Sequence, residues 1–192
     1  MSKKIAVLFP GIGYHCDKPL LYYSRKLAKQ YDYRIKEIQY DFDGEILDVK
    51  NNKARMMEAI EEFTLQAKDQ LSEISFEKYD NIVFVGKSIG TAIAARLASK
   101  KDLPVRQVVL TPVEDTLKNL PKEDVVVFHG LSDPWCENDI VEDAQKKIGF
   151  ELHLIEDANH SLETGNALKD INILKEVIRR VDEYLSYSKI TS

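Results

Sequence analysis

The chain has 192 residues, 44% of them hydrophobic, and a net charge of −5 with acidic and basic side chains interleaved. This is enough apolar material for one sizeable core, and no linker or repeat divides it, so residues 1–192 are predicted to form a single domain. Without a basic stripe, nucleic acid and anionic membranes are not expected as partners. No apolar run approaches the ~20 residues of a membrane span, so we expect a soluble, cytoplasmic protein.

The first predicted strand, residues 4–9, leads into a loop at residues 10–17 that contains Gly11 and Gly13. A glycine pair after a strand can begin a phosphate-binding turn, but the third glycine of a dinucleotide fingerprint is missing. A nucleotide site is therefore excluded. The glycines let the backbone turn towards the end of the sheet, which makes the N–H of Ile12 or Gly13 a candidate donor to an oxyanion.

A second strand is predicted at residues 34–41, and a helix follows it. Its apolar residues recur every three or four positions, as in a helix that packs one face on a sheet. These residues are Met56, Ile60, Phe63, Ala67, Leu71 and Ile74. We expect all of them to belong to the core.

The third predicted strand, residues 81–85, runs directly into the motif Gly86-Lys87-Ser88-Ile89-Gly90, and a helix is predicted at residues 89–99. Gly-x-Ser-x-Gly between a strand and a helix is the pattern of a nucleophile elbow, a strained turn that projects the serine hydroxyl out of the sheet. The helix N-terminus behind it favours negative charge at the same point. Ser88 is therefore the candidate nucleophile; the alternative is a purely structural turn between strand and helix.

The two neighbours of Ser88 have different expected roles. The N–H of Ile89, the residue after the nucleophile, is the expected first donor of an oxyanion hole, and Ile12 or Gly13 supplies the second. Lys87 either acts on a negatively charged substrate or is solvated on an exposed turn. The second state is the ordinary one for a lysine, and we predict it here.

Strands predicted at residues 105–111 and 124–129 precede the candidate acid. Asp133 follows the second of them, so its carboxylate is expected just beyond the carboxyl end of a strand. Asp139 is the nearby competitor. Because Glu142 follows Asp139 by three residues, that pair instead predicts the capping box of a helix.

The last predicted strand, residues 150–155, leads to His160 in a loop, and this histidine is the candidate base. Asp157 precedes it too closely in the turn to orient its ring from behind. His129 and His153 fall within strands, where a histidine more often contributes to packing than to catalysis.

Ser88, Asp133 and His160 thus follow one another in the chain order nucleophile, acid, base. In the predicted mechanism His160 takes the hydroxyl proton as Ser88 attacks a carbonyl and later passes it to the leaving group, while Asp133 orients the imidazole. The activity is expected to rise with pH near the ordinary pKa of a histidine, as His160 becomes neutral.

Strands alternate with helices along the whole chain, and several strands are apolar at nearly every residue. Both features predict an α/β protein of three layers, in which helices cover both faces of a mostly parallel six-stranded sheet. The candidate site residues all follow strand ends, where open α/β sheets place their sites. The last helix is expected to turn one apolar stripe towards the core, namely Ile171, Leu174, Ile178, Val181 and Leu185.

Cys16 and Cys136 are too few for a disulfide framework, and free thiols are predicted. Both lie near the candidate site loops, and a pairing between them is the alternative. No pair of cysteine or histidine residues has the spacing of metal ligands, so neither a metal nor another cofactor is expected.

With these motifs the chain resembles the α/β-hydrolase superfamily, in particular its small lidless members, the dienelactone-hydrolase-like and short-chain esterase groups. The resemblance spans nearly the whole chain and is carried by the elbow around Ser88, by Asp133 after Gly130, by His160, and by the loop at residues 10–13. It implies a minimal α/β-hydrolase fold that lacks the family's early antiparallel strands and a lid domain. Dienelactone hydrolases proper use a cysteine nucleophile, so the serine argues against that substrate.

The resemblance implies a serine hydrolase that cleaves carboxylic ester or thioester bonds through an acyl-enzyme, although peptidases, amidases and C–C hydrolases share the same triad. A pocket without a lid, bounded by Tyr14, His15 and Trp135, favours small or extended acyl substrates. The alternative is a non-catalytic ligand-binding or adaptor protein on the same scaffold. The expected partner is a small acyl molecule, and the sequence leaves both a monomer and a homodimer open.

Overall fold

The structure is a computed structural model that describes residues 2–42, 49, 52–101 and 104–186. Within these residues one sheet is formed by β1 (Lys4–Phe9), β2 (Tyr33–Glu37), β3 (Asn81–Lys87), β4 (Val105–Leu110), β5 (Val125–Gly130) and β6 (Glu151–Ile155). The strands lie in the order β2-β1-β3-β4-β5-β6, and every neighbouring pair is parallel. The predicted six-stranded α/β architecture is therefore confirmed.

The described helices are α1 (Pro19–Gln30), α2 (Lys53–Gln70), α3 (Ile89–Lys101), α4 (Glu114–Leu117), α5 (Asn138–Ile148) and α6 (Ala167–Ser186), with one turn of 3-10 helix at Phe76–Lys78. They form layers on both faces of the sheet, and none of these described helices has the length and apolarity needed to cross a membrane.

Strand β1 shows why the strands are apolar at successive positions. Ile5, Val7 and Phe9 pack with residues of α2 and α3, whereas Ala6 and Leu8 pack with residues of α1 and α6. Successive side chains of a strand point to opposite faces, so a strand between two helical layers has no face left for water. All five of these side chains are fully buried.

The start of α5 differs from the prediction. Asp139 does not cap this helix: the N-cap is Glu137, whose side chain makes no capping hydrogen bond, and the helix begins at Asn138. The side chain of Asn138 is directed into the protein instead, where its Nδ2 donates to the carbonyl oxygen of Leu131. The expected capping box of Asp139 and Glu142 was therefore wrong.

The apolar stripe of α6 is shorter than predicted. Val181 and Leu185 are buried together with Val177, but Ile171 is 60% exposed, so its expected place in the core was wrong. Leu168 is also exposed, whereas Ile173 and Leu174 pack partly on the core, so the helix is covered only from about its second turn. Periodicity identifies the apolar face of a helix, but it does not say how much of that face is covered.

Candidate active site

Ser88 lies in the tight turn between β3 and α3. Its φ of 57° falls in the left-handed region that residues with a side chain rarely adopt, as expected for the strained turn of a nucleophile elbow. Glycines make this turn possible. A Cβ at Gly86 would lie 2.7 Å from the Cα of Thr91, and a Cβ at Gly90 would lie 2.2 Å from the carbonyl oxygen of Phe9. Only glycine allows α3 to start this close to β1.

The structure brings Ser88, His160 and Asp133 together in one hydrogen-bonded row. Nε2 of His160 is 2.7 Å from Oγ of Ser88, and Nδ1 of His160 is 2.7 Å from Oδ2 of Asp133. The other carboxylate oxygen of Asp133 accepts the N–H of Trp135 at 2.9 Å. With a proton on Nδ1, the imidazole can accept the hydroxyl proton of the serine at Nε2.

Backbone hydrogen bonds between two loops fix the position of the Asp133 carboxylate relative to the His160 imidazole. The N–H of Ser132 donates to the carbonyl oxygen of Ala158 at 2.9 Å, and the N–H of Leu131 donates to that of Ile155 at 3.0 Å. At Gly130, a Cβ would lie 2.3 Å from the carbonyl oxygen of Ala158. The loops that follow β5 and β6 therefore pack directly on each other, which fixes Asp133 relative to His160.

His129 lies behind Asp133 and is completely buried. Its Nε2 is 2.8 Å from Oδ1 of Asn138, whose amide is oriented because Nδ2 donates to Leu131. His129 therefore carries its proton on Nε2. Its Nδ1 is 3.8 Å from Oδ2 of Asp133, which is too far for a hydrogen bond, so this histidine supports the acid by packing.

The loop after β1 approaches the nucleophile from the opposite side. Gly11 and Tyr14 bond each other through their backbone N–H and carbonyl groups, so Ile12 and Gly13 form the tip of a turn. A Cβ at Gly11 would lie 3.0 Å from the Cβ of Ser88. Ile12 and Gly13 line a pocket of about 130 Å³ that Ile89 also lines, together with Ser88 and His160. All three predicted oxyanion-hole residues therefore border the serine.

Two of the three residues predicted to bound the substrate line this pocket. Tyr14 forms one wall, and the indole of Trp135 stacks on the imidazole of His160 with ring centroids 4.8 Å apart and planes inclined by 14°. His15 lies elsewhere: it lines a separate depression beside the end of β2, and its exposed ring accepts the N–H of Asp17.

A larger groove of about 370 Å³ adjoins the serine pocket and shares Val49, Met56 and Trp135 with it. Further apolar lining comes from Ile60 of α2 and from Val113. The two cavities together provide a small site at Ser88 and a more extended groove next to it, and the lining of both is mainly apolar.

A family model described as an alpha/beta hydrolase domain matches residues 3–186. The chain belongs to the α/β-hydrolase family. The resemblance inferred from the elbow and its partner residues is thereby confirmed, and the described part of the chain has the predicted α/β-hydrolase fold and forms no lid domain.

Solved structures of other α/β hydrolases share this fold at low sequence identity. Est1E from Butyrivibrio proteoclasticus, solved with ferulic acid bound, is 12% identical with a TM-score of 0.65, covering 96% of this chain and 89% of that one. A serine hydrolase without a lid from Xanthomonas campestris is 12% identical with a TM-score of 0.59, covering 98% and 85%. An α/β serine hydrolase homologue from Coxiella burnetii is 14% identical with a TM-score of 0.61, covering 94% and 85%. No curated protein sequence matches the chain.

Burial controls the charge state of His160 in this α/β hydrolase. Loss of hydration lowers the pKa of His160 from its ordinary value of 6.5 to about 4, and the hydrogen bond to Asp133 opposes that change only in part. The nearby charge of Lys87 lowers this pKa further. The imidazole is therefore neutral at neutral pH, in the form that accepts a proton.

Lys87 is the site residue that the sequence interpretation missed. It is 1% exposed, so the prediction of a solvated lysine was wrong. Strand β3 continues to this residue, two positions beyond the predicted end, and Lys87 shares the strand face of the buried Val83 and Val85. The alternation of buried side chains along β3 was therefore the sequence signal that could have predicted the burial of Lys87. Burial lowers the pKa of Lys87 to about 7, against the opposing charges of Asp133 and Glu163.

Both cysteines of the hydrolase are buried free thiols, as predicted. Burial raises the pKa of Cys16 and of Cys136 to about 12, so neither forms a thiolate nucleophile at neutral pH. Among the described residues, no three His, Cys, Asp or Glu side chains are grouped so that they could hold a metal ion.

Proposed function

We propose that this α/β hydrolase is a serine hydrolase that cleaves carboxylic ester or thioester bonds, with Ser88 as the nucleophile, His160 as the base and Asp133 as the acid that orients it. The observation that carries the proposal is the row of two hydrogen bonds, each 2.7 Å long, that joins the hydroxyl to the imidazole and the imidazole to the carboxylate. The neutral state of His160 supports it, because only a neutral imidazole can remove the hydroxyl proton.

In the proposed mechanism the oxygen of Ser88 attacks the acyl carbon while its proton passes to Nε2 of His160. The negative charge of the tetrahedral intermediate is stabilised by the N–H of Ile89 and by that of Ile12 or Gly13. His160 then returns the proton to the leaving alcohol or thiol, and an acyl-enzyme remains. Water, deprotonated by the same imidazole, releases the acid.

The two cavities support small or extended acyl substrates. Since one liquid water molecule occupies ~30 Å³, the pocket of about 130 Å³ at Ser88 accommodates a group of about four or five heavy atoms. The adjoining groove of about 370 Å³ offers apolar surface to a longer substituent beyond Trp135.

The test is labelling with a fluorophosphonate probe, which reacts with activated serines whatever their natural substrate, followed by mass-spectrometric location of the adduct. We expect the adduct on Ser88, and we expect Ser88→Ala and His160→Ala to abolish it. Ser132→Ala is the matched control, because this exposed serine lies close to Asp133 in the chain but does not line the pocket.

An adduct on another serine would contradict the assigned nucleophile. If the folded protein gives no adduct at all, the reaction mechanism is wrong, and a non-catalytic ligand-binding protein on the same scaffold becomes the better interpretation. Ligands would then be sought by the rise that they cause in the melting temperature.

A further inference from the structure

The ammonium group of Lys87 is a buried charge without an ion-pair partner among the residues that the structure describes. Its Nζ lies over the face of the Tyr14 ring, 4.8 Å from the ring centroid, which is a cation–π contact. A cation over an aromatic face regains only part of the hydration that burial removes. The site therefore leaves this ammonium group short of one negatively charged partner.

The two nearby carboxylates, Asp133 and Glu163, do not form an ion pair with the ammonium group of Lys87. Asp133 and Glu163 act on Lys87 through their charge, but neither comes within ion-pairing distance of it. Both oxygens of Asp133 are also engaged, one with His160 and the other with the N–H of Trp135. Glu163 is exposed to solvent.

Lys87 and Ser88 line the same pocket of about 130 Å³, together with Tyr14 and His160. A pocket of this volume accommodates about four or five heavy atoms beside the serine. Any group that reaches Lys87 there lies only a few bonds from the carbon that Ser88 attacks.

We propose that Lys87 is a specificity residue that selects esters with a carboxylate close to the scissile bond, such as hemiesters of short dicarboxylic acids. This inference rests on the proposed hydrolase function and names its substrate class. The ammonium group donates a charge-assisted hydrogen bond to the carboxylate and gains the partner that the free protein lacks. A neutral ester of the same shape leaves the buried charge unpaired.

The first experiment compares matched substrates on the wild-type protein at pH 6, where Lys87, with its pKa lowered to about 7, is mostly charged and His160, with its pKa lowered to about 4, is neutral. Monomethyl succinate and methyl succinamate have the same shape, but only the first carries a carboxylate, in its acyl part. Acetylglycolate and acetylglycolamide form the corresponding pair with the charge in the alcohol part. We expect kcat/KM to favour the anionic member of one pair by about tenfold to a hundredfold, the range of a hydrogen bond to a charged group. The pair that shows the preference tells which part of the substrate contacts Lys87.

The second experiment removes the charge. Lys87→Met keeps the length of the side chain, and we expect it to reduce the preference to less than about twofold. Lys18→Met is the matched control, since this exposed lysine lies outside the pocket and its loss changes the net charge by the same amount. The control should keep the full preference. Hydrolysis of the neutral amide ester shows in the same assay that the Lys87 variant is folded.

Equal hydrolysis of both members of each pair by the wild type overturns the inference, whether or not any variant folds. A preference that survives in Lys87→Met overturns it as well, because the charge that selects the carboxylate then lies elsewhere. If Ser88 is labelled and the neutral esters are cleaved without discrimination, the hydrolase function stands and only the substrate class is wrong. If no ester is cleaved and Ser88 is not labelled, the function itself fails, and the inference fails with it.

Discussion

Asp133 and Lys87 are two buried charged side chains beside the nucleophile, and they differ in the number of partners that the protein provides for their charge. Each carboxylate oxygen of Asp133 has a hydrogen-bond partner, the imidazole of His160 and the N–H of Trp135. Lys87 is as deeply buried, but its ammonium group has no ion-pair partner among the described residues. It lies over the ring face of Tyr14 instead. Asp133 therefore has its hydrogen-bond partners within the protein, whereas the proposed partner of Lys87 is a carboxylate of the substrate.

The largest expected effect is on kcat and follows from changing Asp133, the side chain whose two oxygens both have hydrogen-bond partners. Asp133→Asn is expected to lower kcat by about ten-thousandfold with little loss of stability, because an amide holds the imidazole of His160 in the wrong tautomer. Hydrolysis of p-nitrophenyl acetate measures kcat, and thermal unfolding measures stability. Asp139→Asn, an exposed acid in the same segment of the chain, is the control and should retain activity. An undiminished rate in Asp133→Asn would transfer the orienting role to another carboxylate.

A smaller effect is expected from removing Lys87, and it concerns the pH dependence of the free energy of unfolding. Because the pKa of Lys87 is lowered to about 7 on folding, the unfolded chain binds more protons than the folded one between about pH 7 and the ordinary value of 10.5. The free energy of unfolding should therefore rise with pH across this interval, by at most about 1.4 kcal/mol per pH unit from this group. Urea unfolding at several pH values should show this slope in the wild type and a reduced slope in Lys87→Met. An unchanged slope in the variant would show that Lys87 is hydrated in solution.

The smallest expected effect concerns His160 and the pH dependence of kcat/KM. Since burial lowers the pKa of His160 to about 4, kcat/KM for a neutral ester should rise as the pH increases through about 4, not near 6.5 as the sequence alone predicts. Lys87→Met should move this limb to higher pH by less than about one unit, because the ammonium group no longer opposes the imidazolium. A wild-type limb near 6.5 would contradict the proposed effect of burial.

The positions of the strands and of the three aligned side chains could be predicted from the sequence because each depends on local signals. Runs of apolar residues mark β3, β5 and β6, and the carboxyl ends of parallel strands meet at one edge of a sheet. Ser88, Asp133 and His160 follow three of these ends, so their proximity results from the topology. The glycines around Ser88 add a steric requirement that the motif itself encodes.

The features that were missed depend on contacts between segments far apart in the chain. The alternation along β3 places Lys87 on the face of the buried Val83 and Val85, but it does not show what covers that face. Tyr14, from the loop after β1, lies over the ammonium group, and no pattern near the elbow predicts that contact. The helix α5 begins at Asn138 with Glu137 as its N-cap, and the Asn138 side chain bonds Leu131 and His129 inside the protein, contacts that the local pattern around Asp139 does not predict. His15 belongs to a glycine-containing loop that does reach the serine, but the direction of its own side chain depends on the turn.

The stacking of Trp135 on His160 makes the site visible to spectroscopy without a label. The chain contains a single tryptophan, so all of its indole fluorescence comes from the ring that lies 4.8 Å from the imidazole. Indole emission depends on the charge and polarity of its immediate neighbours, and here those neighbours are the candidate base and the pocket. Under the proposed mechanism, protonation of His160, acylation of Ser88 and entry of a substrate should each change the intrinsic emission of the unmodified protein, and a stopped-flow instrument would follow that change within a single turnover.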